Sequence, residues 1–475
     1  MGLSSEASRT DVAALDTEGR PLPGWPVRIA GGWPRAAAFG ADGTLYLILQ
    51  GDDDAPELAA LPPDGLRSAG WLVRLEAGDL GPYCDRLIAV DDGTVRLVCT
   101  SYSGGDNVVD DSSAYAFDRQ GRTLPGWPVA LPAFSCDWDA APCIDPPEPD
   151  AFGTSLVGIA SGSGWARRFT VAADGSLRLG ETVKVPSIEF NDTCYDELAA
   201  PRGSLSLGPD GTGYVWAVRA GRPRGSGDCR FISATYTALD DDGVRAGWPV
   251  GVAGETSEPI LGSDGRVYVT QGDDGRRPTR VYAFDAHGRR VPGWPVRFDL
   301  ARDGGYGAGG WGPTTVSVEP NGTVYLAVRD GPSGIDNATT VYALDPTGRV
   351  LPGWPYRARM PLARLDWDCV CVPGSARPLP PVVDAAGRVR LLLGIPYDQK
   401  FGSRATLVQE GRTVAGWPVT LRKATSHFVD LTVDAAGVTY ALAVEGSPTP
   451  ETMSETLLAI APDGTVLYRT TVLEP

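Results

Sequence analysis

The chain has 475 residues, of which 42% are hydrophobic, and its formal net charge is −17. This length fits two to four ordinary domains or one large repetitive domain. The negative charge argues against binding of nucleic acid or anionic membrane surfaces, and no apolar run reaches the roughly 18 residues of a membrane span.

The chain opens with a polar stretch and then becomes repetitive. Residues 1–10, MGLSSEASRT, lack the apolar centre of a signal peptide, so we predict a disordered leader there. After it, a phrase of Gly-Trp-Pro followed by Val or Tyr recurs six times, ending at Val27, Val129, Val250, Val296, Tyr356 and Val419. This recurrence predicts a single repetitive domain over 11–475.

Each repeat is a unit of roughly 46 to 68 residues with two recognisable halves. The first half is typified by SDGRVYVTQ (263–271) and PNGTVYLAV (320–328), and the second by RVYAFDAHGRRVPGWPVRF (280–298). Short apolar stretches separated by Asp-Gly or Asn-Gly turns are typical of hairpins. One unit therefore predicts four antiparallel strands, which we call A to D.

Counting the halves predicts the number of units. First halves lie at 36–49, 85–99, 150–162, 203–218, 258–271, 312–328, 380–393 and 428–444, which makes eight. Second halves number nine, because the chain opens with one (11–29) and closes with another (456–473). We expect eight blades of a β-propeller, with one surplus outer half competing to close the ring. Seven blades are expected instead if the degenerate unit 150–185 is an insertion.

The Gly-Trp-Pro segment is predicted to form the outermost strand D of each unit. In GWPVRI, Trp25, Val27 and Ile29 share one face of a half-buried strand. A proline within a strand cannot donate to a ladder, which places this strand at a sheet edge. The tryptophan is expected to pack as an apolar plate against the neighbouring sheet.

The repeats resemble those of a known group of propellers. VYALDPTGRVL and VYAFDAHGRRV resemble the repeats of quinoprotein-type (PQQ-like) propellers and of the bacterial outer-membrane assembly propeller. The added PGWPV is similar to secreted bacterial repeat proteins with FG-GAP or VCBS-type propellers. The resemblance implies an all-β, eight-bladed propeller. Its quinone-dependent dehydrogenases use a docking tryptophan, adjacent bonded cysteines and Ca²⁺, whereas this chain has Cys-Val-Cys and an outer-strand tryptophan.

Loop lengths predict which face of the ring carries function. The A–B and C–D turns are short, whereas the B–C and D–A connections are long and share the opposite face. Acidic B–C loops contain Asp52, Asp53, Asp273 and Asp274. Ca²⁺ binding is compatible with them, but their spacing is not that of a dedicated calcium loop and favours solvated turns. We expect no cofactor, with Ca²⁺ as the open alternative.

Two D–A connections carry the same acidic and aromatic string. FSCDWDAAPC (134–143) and RLDWDCVC (364–371) precede blades three and seven, which face each other across a ring of eight. The predicted ligand-binding residues are Asp137, Trp138, Asp139, Asp366, Trp367, Asp368 and two further tryptophans, Trp33 and Trp311. Indoles beside carboxylates suit a sugar or a cationic group. In the alternative, the tryptophans plug the channel mouth and the aspartates cap turns.

The cysteines and histidines point to structure more than to catalysis. The eight cysteines have no Cys-x-x-Cys spacing, so a zinc site is not expected, and an even count fits an oxidising compartment. We expect four disulfides, within the pairs Cys84/Cys99, Cys136/Cys143, Cys194/Cys229 and Cys369/Cys371, the last a strained, reducible ring. His287 is predicted to be exposed in a turn, and His427 to be structural. A catalytic triad is therefore not expected.

Three functions remain open from the sequence. The leading hypothesis is an exported propeller, extracellular or periplasmic, that binds a glycan or a protein through its long-loop face or serves in surface assembly. The alternative is an enzyme using carboxylates or Ca²⁺ at the channel mouth, as a polysaccharide lyase or a quinone-dependent dehydrogenase. A structural repeat within a filament or surface layer is the third.

Overall fold

The computed structural model describes the protein in separate ranges. These are residues 9–30, 33–50, 55–65, 71–75, 83–103, 108–132, 145–149, 155–162, 165–185, 205–208, 210–221, 230–254, 256–272, 279–298, 314–330, 338–358, 364–365, 377–394, 403–421, 426–445 and 454–473. Within these ranges the chain consists of strands and turns, with no helix.

The first four repeats each form one antiparallel sheet whose strand order follows the chain. Their strands are β3 (Trp33–Phe39), β4 (Leu45–Gln50), β5 (Pro56–Leu61) and β6 (Trp71–Arg74) in blade 1; β7 (Tyr83–Ala89), β8 (Val95–Ser103), β9 (Val108–Phe117) and β10 (Val129–Ala130) in blade 2; β11 (Asp145–Pro149), β12 (Leu156–Gly162), β13 (Trp165–Val171), β14 (Leu177–Leu179) and β15 (Val183–Lys184) in blade 3; and β16 (Leu205–Leu207), β17 (Gly213–Gly221), β18 (Arg230–Asp240), β19 (Gly243–Val244) and β20 (Val250–Ala253) in blade 4.

The last four repeats follow the same plan. Their strands are β21 (Ile260–Leu261), β22 (Val267–Gln271), β23 (Thr279–Phe284) and β24 (Val296–Phe298) in blade 5; β25 (Thr314–Val318), β26 (Val324–Asp330), β27 (Ala338–Leu344) and β28 (Tyr356–Ala358) in blade 6; β31 (Val382–Val383), β32 (Val389–Gly394), β33 (Ser403–Gln409), β34 (Arg412–Thr413) and β35 (Val419–Leu421) in blade 7; and β36 (Ser426–Val433), β37 (Thr439–Glu445), β38 (Ser454–Ile460) and β39 (Val466–Leu473) in blade 8. Between blades 6 and 7, β29 (Arg364–Leu365) pairs with β30 (Arg377–Pro378).

The eight blades form a ring, which confirms the predicted eight-bladed β-propeller. The degenerate third repeat builds a blade of its own from β11 to β15, so the seven-bladed alternative is wrong. In three blades the fourth strand is split in two, and both pieces pair with the third strand: β14 and β15, β19 and β20, β34 and β35.

Of the two terminal outer halves, one completes a blade and the other forms a separate strand pair beside the complete blades. The C-terminal copy, β38 and β39, completes blade 8. The N-terminal copy forms a separate antiparallel pair, β1 (Arg9–Val12) with β2 (Val27–Ala30). We call residues 9–30 the half-blade, because it contains only the C and D strands of a repeat.

The Trp-Pro segments lie at the sheet edges as predicted, but the proline is outside the ladder. The fourth strands begin directly after it, at Val27, Val129, Val250, Val296, Tyr356 and Val419. Blade 1, whose repeat lacks the proline, begins its fourth strand on Trp71 itself. The later start of the strand in the repeats with proline follows from proline's lack of a backbone N–H to donate to the ladder. All six Trp-Pro peptide bonds are cis.

The hydrophobic core is divided among the seams between neighbouring blades. One cluster contains Trp248 and Tyr214 of blade 4 with Val267 and Phe284 of blade 5, and corresponding clusters occupy the other described seams. At six seams the indole N–H donates to a carbonyl in the C–D turn of the following blade. These bonds, of 2.9 to 3.3 Å, are Trp25–Pro63, Trp71–Arg119, Trp127–Ala173, Trp248–Ala286, Trp294–Pro346 and Trp417–Pro462. The repeated tryptophan therefore joins neighbouring blades at these six seams, as the sequence predicted in outline.

Candidate functional site

One face of the ring is formed by the short A–B and C–D turns, and we call it the tight-turn face. In these turns an Asp or Asn side-chain oxygen accepts a backbone N–H two or four residues ahead. The acceptors are Asp16, Asp42, Asp92, Asp118, Asp174, Asp210, Asp240, Asp264, Asp285, Asn321, Asp345, Asp384, Asp434 and Asp463. This pattern is an Asx turn, repeated around the ring.

For Asp345 and Asp42 these hydrogen bonds favour the ionised carboxylate. The hydroxyl of Thr347 and the amide of Arg349 hold the pKa of Asp345 below the ordinary value for an aspartate. The amide and hydroxyl of Thr44 similarly lower the pKa of Asp42. The acidic side chains on this face are therefore occupied in holding turns together.

A buried ion pair connects blades 7 and 8 near the same face. The side chain of Arg390 is only 1% exposed, and its Nη1 lies 3.0 Å from Oδ2 of Asp384. Its Nε and Nη2 donate to Thr439 Oγ1 at 2.6 Å and to the Gly437 carbonyl at 2.8 Å. Burial opposes ionisation of Asp384, but hydrogen bonds from Arg388 and Arg390 outweigh it and lower its pKa. Every partner is structural, so this pair positions blades and not a ligand.

The opposite face, which we call the long-loop face, carries the B–C and D–A connections. The candidate residues Asp137, Trp138, Asp139, Trp311, Asp366, Trp367 and Asp368 lie outside the described residues, as do the acidic loop residues Asp52, Asp53, Asp273 and Asp274. Trp33 is the first residue of β3, at the long-loop end of blade 1. These assignments therefore stay predictions.

The described strands nevertheless position the ends of both Asp-Trp-Asp segments. The first segment leaves the outermost strand of blade 2, β10, and enters the innermost strand of blade 3, β11. The second begins directly after Leu365, which pairs with Arg377, so β29 and β30 bring the two ends of 366–376 together. Blades 3 and 7 stand four places apart in the ring. Both segments therefore originate on one face, at opposite sides of the ring.

One D–A connection, between blades 4 and 5, is described except for residue 255 and reveals its anchoring. The Tyr236 hydroxyl lies 2.7 Å from both Thr256 Oγ1 and the Ser257 carbonyl oxygen. Gln271 donates from Nε2 to the Ala253 carbonyl and accepts from the Tyr282 hydroxyl at 3.1 Å. Burial raises the pKa of Tyr236, so this hydroxyl stays protonated as a donor. The connection is held rigidly on a buried platform.

Sequence reasoning missed this platform, although a signal for it exists. Gln-Gly-Asp-Asp occurs at 50–53 and again at 271–274, and the glutamine of each ends a B strand. Gln50 and Gln271 are both buried, at 9% and 1% exposure. Gln271 therefore anchors the connection beside an acidic B–C loop, and Gln50 is its buried counterpart in blade 1.

The described residues contain no assembled metal centre. Across the described ranges, no group of three or more His, Cys, Asp or Glu side chains is arranged to hold a metal ion. His287 is exposed in a C–D turn, where its amide donates to Asp285, as predicted. His427 is the second residue of β36, inside the strand that it was expected to precede.

One predicted disulfide is present. Cys84 and Cys99 are cross-strand partners on β7 and β8, and their sulfurs are bonded. Both cysteines are buried, at 0% and 2% exposure. The six other cysteines, Cys136, Cys143, Cys194, Cys229, Cys369 and Cys371, lie outside the described residues, so their pairing stays a prediction. The described part of the chain also holds no helix of the length and apolarity needed to cross a bilayer.

Comparison with known proteins supports the fold. No family model matches the chain, and no curated protein sequence matches it. Among solved structures, a eukaryotic initiation factor is similar with a TM-score of 0.52 and 8% identity over 98% of this chain and 96% of that chain. The quinoprotein alcohol dehydrogenase-like protein of Bacteroides thetaiotaomicron has a TM-score of 0.35, with 10% identity over 99% of this chain and 90% of its own.

A periplasmic gluconolactonase of Pseudomonas aeruginosa is similar with a TM-score of 0.36 and 16% identity, over 79% of this chain and 95% of its own. At such identities a likeness concerns the fold and not the activity. The propeller implied by the repeat resemblance is confirmed by the strand order of the eight blades.

Proposed function

We propose that this protein is an exported binding module that recognises a glycan or a protein through its long-loop face. The observation that carries the proposal is the difference between the two faces. On the tight-turn face the carboxylates of the turns already accept Asx hydrogen bonds from backbone amides. The long, variable connections emerge together on the other face, which is where rigid scaffolds usually carry recognition residues.

The chemistry of that face suits a ligand with hydroxyl groups or a positive charge. Trp138 and Trp367 each stand between two aspartates in the sequence. An indole offers an apolar plate to one face of a sugar ring, while neighbouring carboxylates accept hydrogen bonds from hydroxyls or pair with a cation. A net charge of −17 further favours neutral or cationic partners over anionic ones.

Export is supported by the cysteines. The Cys84–Cys99 disulfide links two adjacent strands of blade 2. Such bonds persist in oxidising compartments and are rare in the cytosol. The total of eight cysteines permits every one to be paired. Titration of free thiols under denaturing conditions should find none, whereas eight reactive thiols would refute export to an oxidising compartment.

The test of ligand binding is a glycan-array and protein-capture screen followed by substitution. The double variant Trp138→Ala/Trp367→Ala should lose binding to the identified ligand by at least about 100-fold, since two aromatic contacts are removed. Leu179→Ala is the control, because Leu179 is 48% exposed on the outermost strand of blade 3. Thermal unfolding should be unchanged in both variants.

Two results would contradict the proposal. Full affinity in the double variant would remove the Asp-Trp-Asp segments from the binding face. Stoichiometric metal together with turnover of a polysaccharide or an alcohol would replace the binding function with catalysis at the channel mouth.

A further inference from the structure

The half-blade occupies a ninth position in the ring, between blades 8 and 1. On one side the Trp25 indole donates to the Pro63 carbonyl at 3.0 Å, as the repeated tryptophans do at other seams. On the other side Thr470 donates to the Gly19 carbonyl at 3.0 Å. Gly19 lies against the Tyr468 ring in the same way that Gly121 lies against the Trp71 ring. The half-blade is therefore held by the ordinary inter-blade contacts.

This ninth position contains an outer half without an inner half. In each complete blade the C strand pairs with a B strand on one side and a D strand on the other. Within the described residues, β1, the C strand of the half-blade, pairs with β2 alone. Its inner edge therefore presents backbone N–H and C=O groups that a further strand can use.

Strand A of blade 1 is exposed on the side that faces this position, whereas Leu45, Leu47 and Leu49 of strand B are buried against the half-blade. Phe39, the last residue of strand A, is 72% exposed. The residues in the same place in blades 5 and 6, Leu261 and Val318, pack against the core clusters that they share with the preceding blade. Phe39 lacks such cover among the described residues because the half-blade ends at its C strand.

The facing wall of blade 8 is also less covered than its counterparts. Tyr440 of strand B is partly exposed, whereas the tyrosines in the same place in blades 5 and 6, Tyr268 and Tyr325, are 0% and 4% exposed. Leu442 is partly exposed as well, while its counterpart Ile48 is fully buried. The unusual exposure is thus found on both sides of the same gap.

We propose that this gap is a docking site for a β-hairpin of a partner protein, which adds to β1 and completes a ninth blade. The hairpin resembles an inner half of this repeat, with two strands of alternating apolar residues joined by an Asp-Gly or Asn-Gly turn. Main-chain hydrogen bonds to β1 provide the affinity, and the two apolar walls select the side chains. The site is separate from the long-loop face and does not depend on the function proposed there.

The repeat itself identifies the occupant. At the eight complete positions, the surface equivalent to this gap is covered by strands A and B. The gap continues the interface that already holds β1 and β2 against blade 1, in the cluster of Val27 and Ile29 with Leu47 and Leu49. All eight inner halves of the chain are built into complete blades. A second copy of the described chain offers no unpaired inner half either, so we assign the hairpin to a different protein.

The test uses the full chain and a labelled peptide of residues 314–330, TTVSVEPNGTVYLAVRD, which is the inner half of blade 6. Fluorescence anisotropy should show saturable binding. Hydrogen exchange at the amides of β1 should slow when the peptide is bound. The same peptide carrying Val316→Pro and Leu326→Pro should not bind, since proline removes ladder donors.

Matched variants locate the peptide. Phe39→Asp should weaken binding by about tenfold or more, because a large apolar contact is replaced by a charge. Leu179→Asp, at an apolar position on blade 3 that is 48% exposed, should leave affinity unchanged. Both variants should keep the wild-type melting temperature.

Three results would overturn the proposal. The first is the absence of saturable peptide binding to the wild-type protein, or an equal loss of peptide affinity in Phe39→Asp and Leu179→Asp. The second is β1 amides that, without peptide, are already as protected as those of β4, because the gap would then be filled by the chain itself. The third is self-association, measured by sedimentation, that disappears in Phe39→Asp, because the occupant would then be a second copy.

Discussion

Each residue of the repeated Gly-Trp-Pro phrase has its own structural task. Gly293 has a φ of 90°, in the region that favours glycine, and an added Cβ would collide with the Thr347 carbonyl oxygen of the next blade. Trp294 donates its indole N–H to the Pro346 carbonyl at 3.2 Å and stacks edge-on against Tyr268. Pro295 precedes the strand that begins at Val296. The phrase recurs because its residues serve these tasks together at the seams where it occurs.

Two glycines allow the stability cost of an unfavourable backbone conformation to be separated from the cost of a steric collision. Gly265 also has a positive φ, of 76°, but no atom lies within 4 Å of the place that an added Cβ would occupy. Gly265→Ala should cost about 1 kcal/mol of unfolding free energy through φ alone. Gly293→Ala should cost at least about 1–2 kcal/mol more, through the collision with Thr347. Urea denaturation measures both, and equal losses would show that the seam tolerates a side chain there.

At the scale of elements, the B strands show how one position is reused. The residue three after the A–B turn glycine is tyrosine in five blades. Four of these tyrosines, Tyr46, Tyr214, Tyr268 and Tyr325, contact a tryptophan of their own blade, and the fifth is Tyr440. In blade 2 it is Arg96, whose guanidinium lies 6.0 Å from the Trp127 ring. In blade 7 it is Arg390, which joins two blades through Asp384 and Gly437. In the blades with a tyrosine–tryptophan contact or an arginine, this position serves the seam by aromatic packing or by charge.

The Arg390–Asp384 pair predicts a pH dependence. The folded-state pKa of Asp384 lies below its ordinary value, so its contribution to stability is present above the unfolded pKa and is lost as pH falls through the folded value. Asp384→Asn should cost about 3 kcal/mol at pH 7, because a buried guanidinium loses its counter-charge. The stability difference between wild type and variant should shrink below about pH 4.

Denaturant midpoints measured from about pH 7 to about pH 2 check this, a range that spans the titration of an aspartate. Asp345→Asn is the control, because Asp345 caps a C–D turn and pairs with no buried charge, so it should cost no more than about 1 kcal/mol. A constant difference between wild type and Asp384→Asn across this pH range would contradict the prediction.

At the scale of the whole molecule, ring closure follows an unusual plan. Blade 8 is complete, yet its last strand, β39, carries Tyr468 where other repeats carry the seam tryptophan. The half-blade lies next to it and supplies Trp25 to blade 1. Closure therefore depends on side-chain contacts and two seam hydrogen bonds, because β1 and β2 form no ladder with blade 8 or blade 1 in the described chain.

This plan predicts a local opening when Trp25 is removed. Trp25→Ala should speed hydrogen exchange at residues 9–30 and leave blades 4 and 5 unchanged, because each seam contacts only its neighbours. Trp248→Ala should instead speed hydrogen exchange in blades 4 and 5 and leave residues 9–30 unchanged. Trp248 joins these two blades, because its indole N–H donates to the Ala286 carbonyl at 3.1 Å. Unchanged protection at 9–30 in Trp25→Ala would show that another contact closes the ring.

The repeat predicted much of the fold, and the errors have physical causes. Strand alternation and turn residues identify four strands per unit, because both depend on local chemistry. The proline was placed inside the fourth strand, whereas the ladder begins after it at residues such as Val129. Strand A of blade 3 begins at Asp145, earlier than the predicted 150, because its residues do not alternate in polarity. The glycan or protein site remains a prediction from its Asp-Trp-Asp strings.

By itself the sequence determined the architecture of this protein: its number of repeats, the edge position of the Trp-Pro segments and the Cys84–Cys99 bond. These depend on residues close in sequence or on the repeat period. Only the tertiary structure decided which of two outer halves completes blade 8, and that the other stands alone in the ring. Either outer half can pair with an inner half. Which one completes blade 8 depends on how each packs against strands distant in sequence, and the local sequence pattern carries no information about that packing.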